Sequence, residues 1–122
     1  IATDHAPHSE DEKKVEFDIA PFGIVGLETA LPLSLKLVED GVLTLNQVIS
    51  KLTDAPSDVL NLGKGTLKVG STADVVIFDP EKEFTVDRNK FHSKSKNSPF
   101  DGWKLKGAIN YTIVNGEIVY TG

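Results

Sequence analysis

Apolar residues between Gly23 and Gly63 recur with a helical period, and after Gly63 they give way to short β-rich runs separated by turn residues. Leu27, Leu31, Leu35 and Val38 fall on one stripe, which predicts a helix over about 24–39 with one face for a core. Gly41 suits its exit, while Pro32 removes a backbone donor in its interior and is expected to kink it. Thr44 and Gln47 form a capping-box pair that opens a second helix to about Leu52. Pro56–Leu60 reads as a short third helix closed by Gly63. In the second half, Ala73–Phe78, Phe84–Val86 and Ile109–Val114 read as strands, with a turn at Asp79-Pro80. Asn115-Gly116 predicts a tight hairpin between Tyr111–Val114 and Glu117–Tyr120, because both residues tolerate the positive φ of a primed turn. Residues 87–107 are polar and rich in Lys and Ser, and read as a long excursion anchored by Phe91, Phe100 and Trp103.

Composition narrows the class. With 122 residues, 39% hydrophobic and 25% charged, and only 10 Gly and 6 Pro, the chain is neither disordered nor collagen-like; it is one ordinary domain or a slice of a larger one. The absence of cysteine excludes disulfides and a thiol nucleophile, so any metal must be held by His and carboxylates, and a reducing, cytoplasmic compartment is expected. There is neither an apolar run long enough to span a membrane nor a signal-peptide pattern at the amino terminus. The net charge of −5 argues against nonspecific nucleic-acid binding, but it is uneven: −7 over residues 1–62 and +2 over 63–122. The opening Ile1-Ala2-Thr3-Asp4 reads like the end of a strand, which suggests a carboxy-terminal piece of a longer protein.

The densest candidate chemistry is Asp4-His5-Ala6-Pro7-His8, one carboxylate and two imidazoles at a strand exit stiffened by Pro7. Functional groups of parallel α/β barrels sit where strands end. One oxygen of Asp4 could bind a divalent metal while the other takes a proton from water that the metal acidifies. His8 could donate to an anionic substrate group or ligate metal. The same residues could equally be a turn carboxylate and two solvated rings. His5 points differently from Asp4 and His8 on an extended path, which suits a structural role, and His92 is isolated. Residues 9–18 read as a charged, solvated loop that could also act as a lid. Pro21-Phe22-Gly23 reads as a loop-to-helix turn, where Gly23 permits close backbone approach and the helix start offers N–H groups to an anion.

Taken together, residues 2–8, 20–29, 70–79 and 93–100 closely resemble the carboxy-terminal third of bacterial type I dihydroorotases, and the match covers essentially the whole chain. The resemblance implies a zinc-dependent amidohydrolase that interconverts N-carbamoyl-L-aspartate and L-dihydroorotate in pyrimidine synthesis. It implies an α/β fold: residues 1–62 as the last strand and closing helices of a (β/α)8 barrel, and 63–122 as part of a β-sandwich domain. By motif, Asp4 matches the catalytic aspartate and metal ligand, His8 the contact to the substrate carboxylate, and Phe22 with Gly23 a stretch whose backbone holds the ring. The other zinc ligands and the substrate-binding arginine of the family have no counterpart here, so the fragment alone is expected to be inactive. Unpaired strand edges imply association with the rest of the chain or a second copy. The alternatives are a hydantoinase-like or allantoinase-like cyclic amidase, or a non-catalytic homologue partnering aspartate transcarbamoylase.

Overall fold

Local capping chemistry decides where the helices begin. In the computed structural model, which describes residues 1–122, the Thr44 hydroxyl accepts from the Gln47 N–H at 3.3 Å and the Gln47 side chain accepts from the Thr44 N–H at 2.8 Å. A second box lies where a plain loop was expected: the Ser9 hydroxyl accepts from the Glu12 N–H at 3.2 Å, and a Glu12 carboxylate oxygen accepts from the Ser9 N–H at 2.8 Å. These boxes open two of four helices: α1 (Glu10–Lys13), α2 (Ala30–Glu39), α3 (Leu45–Leu52) and α4 (Asp54–Val59).

The helix expected from residue 24 starts only at Ala30. Residues 24–26 are taken by long-range partners instead: Val25 N–H donates to the Asn97 carbonyl at 3.1 Å, Gly26 N–H to His5 Nδ1 at 3.1 Å, and Ala6 N–H to the Ile24 carbonyl at 2.8 Å. Pro32 therefore falls in the first turn of α2, where an N–H has no intrahelical acceptor, and the reason for a kink disappears. Leu27, expected on the buried stripe, is exposed, whereas Leu35 is buried. Gly41 ends α2 with φ 69°, the left-handed position anticipated for it. The third expected helix also shifts, beginning at Asp54 with Pro56 in its first turn.

The second half forms one antiparallel sheet in the order β1 (Val75–Thr85), β2 (Lys104–Val114), β3 (Glu117–Thr121). The Asn115-Gly116 hairpin forms as expected, with φ of 51° and 84°. The turn expected at Asp79-Pro80 does not end the strand. Asp79 Oδ1 accepts from the Glu81 and Lys82 N–H groups at 2.9 and 3.1 Å, so the Asp-Pro turn chemistry is present. Pairing resumes at Glu83, however, and residues 80–82 face only Gly107. The turn becomes a bulge in which Pro80 has no ladder bond to lose. The runs 73–78 and 84–86 thus merge into one strand, and the 87–107 excursion ends at Lys104.

Helix α2 packs on β2 at Gly107, whose φ is 101° and where an added Cβ would meet Leu35 Cδ1 at 2.3 Å. Val25, Leu35, Val48, Val86 and Leu105 form the buried apolar core, while Val76, Ile77, Ile118 and Val119 of the sheet are exposed. The chain is a small α/β unit, and none of its helices is long and apolar enough to cross a membrane.

Candidate active site

Residues 4–8 and 21–26 are brought side by side by a single parallel bridge between His5 and Ile24, where a barrel-type strand was expected to end. Close approach at this point requires Gly23. Its φ is 109°, and a Cβ there would lie 2.4 Å from the Ala6 methyl carbon. Gly26 similarly backs onto the Thr3 carbonyl oxygen, 2.9 Å from where its Cβ would stand. Asp4 takes a left-handed backbone, φ 47°, and is exposed.

His8 Nε2 lies 2.9 Å from the Phe22 carbonyl oxygen, so the ring donates from Nε2. Three of the four expected site residues, His8, Phe22 and Gly23, are therefore joined through one contact; Asp4 lies on the same segment as His8 but makes no hydrogen bond to the other three. The ring of Phe22 is exposed, leaving its backbone as the part engaged with neighbours. His5 accepts the Gly26 N–H and holds the two segments together, a structural role. His92 is exposed but not isolated: it meets the Tyr120 ring edge-on at 6.0 Å.

The loop at 93–97 folds onto this pair of segments. Asn97 Nδ2 donates to the carbonyls of Ala6 at 3.1 Å and Gly23 at 3.2 Å, and the Ser95 hydroxyl donates to the His8 carbonyl. Lys96 Nζ donates to the Phe91 and Ser93 carbonyls at 2.6 and 2.9 Å, which curls the loop on itself. From the other side, Lys13 Nζ donates to the carbonyls of Pro21 at 2.7 Å and Gly23 at 3.2 Å. Neither Asn97 nor Lys13 was singled out in the sequence. Asn97 lies in the 93–100 motif that carries the resemblance, where no role was assigned to it, and Lys13 lies in the charged 9–18 stretch with nothing to distinguish it from Lys14.

Glu28 ties the loop down further, accepting from the Ser93 N–H at 2.7 Å and its hydroxyl at 3.0 Å. Burial pushes the Glu28 carboxyl up, but the Ser93 hydrogen bonds outweigh it and hold the group below its ordinary value of 4.5. A carboxylate with a depressed folded-state pKa stabilises the fold fully above its unfolded value and loses that contribution as pH falls through the folded one. The stability of the complete protein should therefore decline as pH drops below about 4.5, and Glu28→Gln should flatten that decline while lowering stability at pH 7. Denaturation midpoints of both proteins across pH 3–7 check this; parallel curves would refute it.

An open cleft of about 800 Å³ lies beside His8, between α1 and the 88–97 loop. Lys13, Lys14, Arg88, Lys94 and Lys96 line it against the single acid Glu10, a balance that suits an anionic small molecule. Asp4, Phe22 and Gly23 stand outside its lining. Nowhere in the chain do three His, Asp or Glu side chains converge on a point that could hold a metal ion, so these residues do not by themselves make a metal site.

The profile of the amidohydrolase family matches residues 1–119. The chain belongs to the amidohydrolase family. As an amidohydrolase it is 61% identical over 120 residues to a dihydroorotase of Geobacter sp. strain M21, an alignment that covers 98% of this chain and 28% of that protein. It is 57% identical over 122 residues to a dihydroorotase of Trichlorobacter lovleyi, covering 100% of this chain and 29% of that one. The chain thus spans under a third of the length of these relatives. Among solved amidohydrolase structures it superposes on a dihydropyrimidinase from Brevibacillus agri with a TM-score of 0.88 and 26% identity, covering 97% of this chain and 27% of that one. An L-hydantoinase from Arthrobacter aurescens superposes with a TM-score of 0.80 and 38% identity, over 87% of this chain and 24% of that chain. The family and its dihydroorotase members are generally metal-dependent.

Proposed function

We propose that this amidohydrolase segment supplies part of the active site of a dihydroorotase, a cyclic amidohydrolase that interconverts N-carbamoyl-L-aspartate and L-dihydroorotate in pyrimidine synthesis. The observation that supports this reading is the 57–61% identity to dihydroorotases along essentially the whole chain, well above the 26–38% shared with hydantoinases and dihydropyrimidinases of known structure. In this reading residues 1–62 close a (β/α)8 barrel, and residues 63–122 complete part of a β-sandwich with sequence outside this segment. The metal proposed is Zn2+, with Asp4 one ligand and the others supplied by residues outside these 122. The setting proposed is the cytoplasm. Beyond the small-molecule substrate, the partners proposed are the rest of its own chain and, on the exposed sheet carrying Val76 and Ile118, a second copy or an aspartate transcarbamoylase.

The chemistry assigned to the chain's own groups is proton handling and substrate binding. In ring opening, Asp4 accepts the proton of the water that adds to the ring carbonyl and delivers it to the departing ring nitrogen; ring closure runs the same transfers backwards. His8, with Nε2 on the Phe22 carbonyl, turns its other edge to the substrate carboxylate. The Phe22-Gly23 backbone binds the ring. The basic cleft raises the local concentration of a substrate that carries carboxylates.

A hydantoinase-like specificity is the second reading, favoured by the 38% identity and TM-score of 0.80 to the L-hydantoinase. Assaying the complete protein on dihydroorotate, hydantoin and allantoin separates the two. The expected result is a kcat/KM for dihydroorotate at least a hundredfold above the other rings, with no turnover by residues 1–122 alone. A preference for hydantoin or allantoin would overturn the assignment.

A further inference from the structure

Three consecutive carbonyls, those of Pro21, Phe22 and Gly23, are each held by a side chain from elsewhere in the chain: Pro21 by Lys13, Phe22 by His8, and Gly23 by Lys13 and Asn97 together. Such saturation of a loop backbone by side-chain donors has a geometric consequence. The peptide bonds are all trans, so each N–H points opposite to the carbonyl of the same peptide plane. Fixing the Pro21 carbonyl aims the Phe22 N–H, and fixing the Phe22 carbonyl aims the Gly23 N–H. Neither of these two N–H groups bonds to any atom of the chain. They are two adjacent, oriented donors left over for a ligand, on the stretch that the proposed function assigns to ring binding.

We propose that Lys13 and Asn97 are positioning residues of this site: from opposite sides they hold the Pro21 and Gly23 carbonyls, on either side of the Phe22 carbonyl that His8 holds, so that the Phe22 and Gly23 N–H groups are presented to carbonyl oxygens of a cyclic substrate. Lys13 comes from α1 and Asn97 from the 93–97 loop, so two segments of different character converge on the Gly23 carbonyl. Lys13 is half-buried and makes no ion pair, and its ammonium is used on backbone oxygens. Lys14, next to it, is exposed and pairs with Glu10 at 2.7 Å. Asn97 does more than clamp: its Oδ1 accepts from the His8 N–H at 3.5 Å and its backbone carbonyl accepts from Val25 N–H, so it sets His8 and residues 23–25 in one frame. A donor pair held in advance binds its ligand without the cost of ordering the loop at that moment, so the effect of the clamp falls on substrate affinity before it falls on the chemical step.

This inference rests on the dihydroorotase reading for its substrate, and the test separates the two. In the complete, metal-loaded protein, Lys13→Met and Asn97→Ala are each expected to raise KM for dihydroorotate about tenfold or more while kcat changes less than threefold. Lys13→Arg, which keeps the donors, should restore KM to within threefold of the parent. Lys14→Met removes the same charge from the same cleft without touching the 21–23 backbone, so it should raise KM less than threefold. Hydrogen exchange of the peptide covering residues 20–25 should be faster in Lys13→Met and Asn97→Ala whatever the substrate proves to be. An unchanged KM in both variants, an equal effect from Lys14→Met, or unaltered exchange at 20–25 would overturn the clamp. If the parent protein does not act on dihydroorotate, the proposed function fails, and the exchange rates alone then decide whether the clamp stands.

Discussion

Asp4→Asn in the complete protein should lower kcat by a factor of about 10² to 10⁴, the range expected when a positioned acid–base group is removed, with the thermal midpoint unchanged. The choice of asparagine follows from the backbone. Asp4 sits at φ 47°, and Asn is one of the few residues besides Asp and Gly that occupies this region readily. Alanine at the same place would add left-handed strain of about 1–2 kcal/mol, mixing a folding defect into the kinetic one. Because the Asp4 side chain is exposed and makes no hydrogen bond within the chain, asparagine breaks no contact of the segment; it removes the proton acceptor and weakens one proposed metal ligand, so metal content is measured alongside turnover. Turnover within a few-fold of the parent at saturating substrate would remove Asp4 from the chemistry, and the proposed mechanism with it.

Gly23→Ala should be the most damaging small substitution in the site. The added methyl would stand 2.4 Å from the Ala6 Cβ, an atom fixed to the backbone that no rotamer change can move, and the residue would still have to hold φ at 109°. Strain in that region and overpacking each contribute about 1–3 kcal/mol, so a loss of about 2–4 kcal/mol is expected. Relief requires separating residues 4–8 from 21–26, which breaks the Ala6–Ile24 hydrogen bond at 2.8 Å and the His8–Phe22 contact at 2.9 Å together. Affinity for substrate should therefore fall along with stability. Pairing the change with Ala6→Gly removes the methyl–methyl clash but leaves the backbone strain, so about half of the lost stability should return. Chemical denaturation of the single and double variants measures both quantities. A Gly23→Ala protein within 0.5 kcal/mol of the parent would show that the two segments are not packed as closely as described.

The Gly23 outcome depends on contacts between residues far apart in the chain, and that separates what could be anticipated from what could not. Signals confined to a few neighbouring residues were legible and held. Thr44 and Gln47 cap α3, Gly41 closes α2 in a left-handed conformation, and Asn115-Gly116 turns the β2–β3 hairpin, because each acts through backbone groups within about four residues. The motif at residues 4–8 likewise drew attention to a segment that the fold lays beside residues 21–26. Where local chemistry met a distant partner, the partner prevailed. The helical stripe beginning at Leu27 lost its first turn because His5 and Asn97 bind the backbone at Gly26 and Val25. The Asp79-Pro80 turn formed but was absorbed into β1, since β2 supplied pairing on both sides of it.

On the other side the 93–100 motif was recognisable, but what its residues touch was not, for the same reason. Asn97 reaches Ala6 across 91 positions and Gly23 across 74, and hydrogen-bond donors at such separations leave no periodicity and no fixed spacing. Composition, period and capping set the helices, the hairpin and the cluster at Asp4 to His8. Only the folded chain, by laying the 93–97 loop and α1 across residues 21–23, decided which backbone groups are held and which are left to face a ligand, because a hydrogen bond from a side chain to a distant backbone depends on where the chain returns in space.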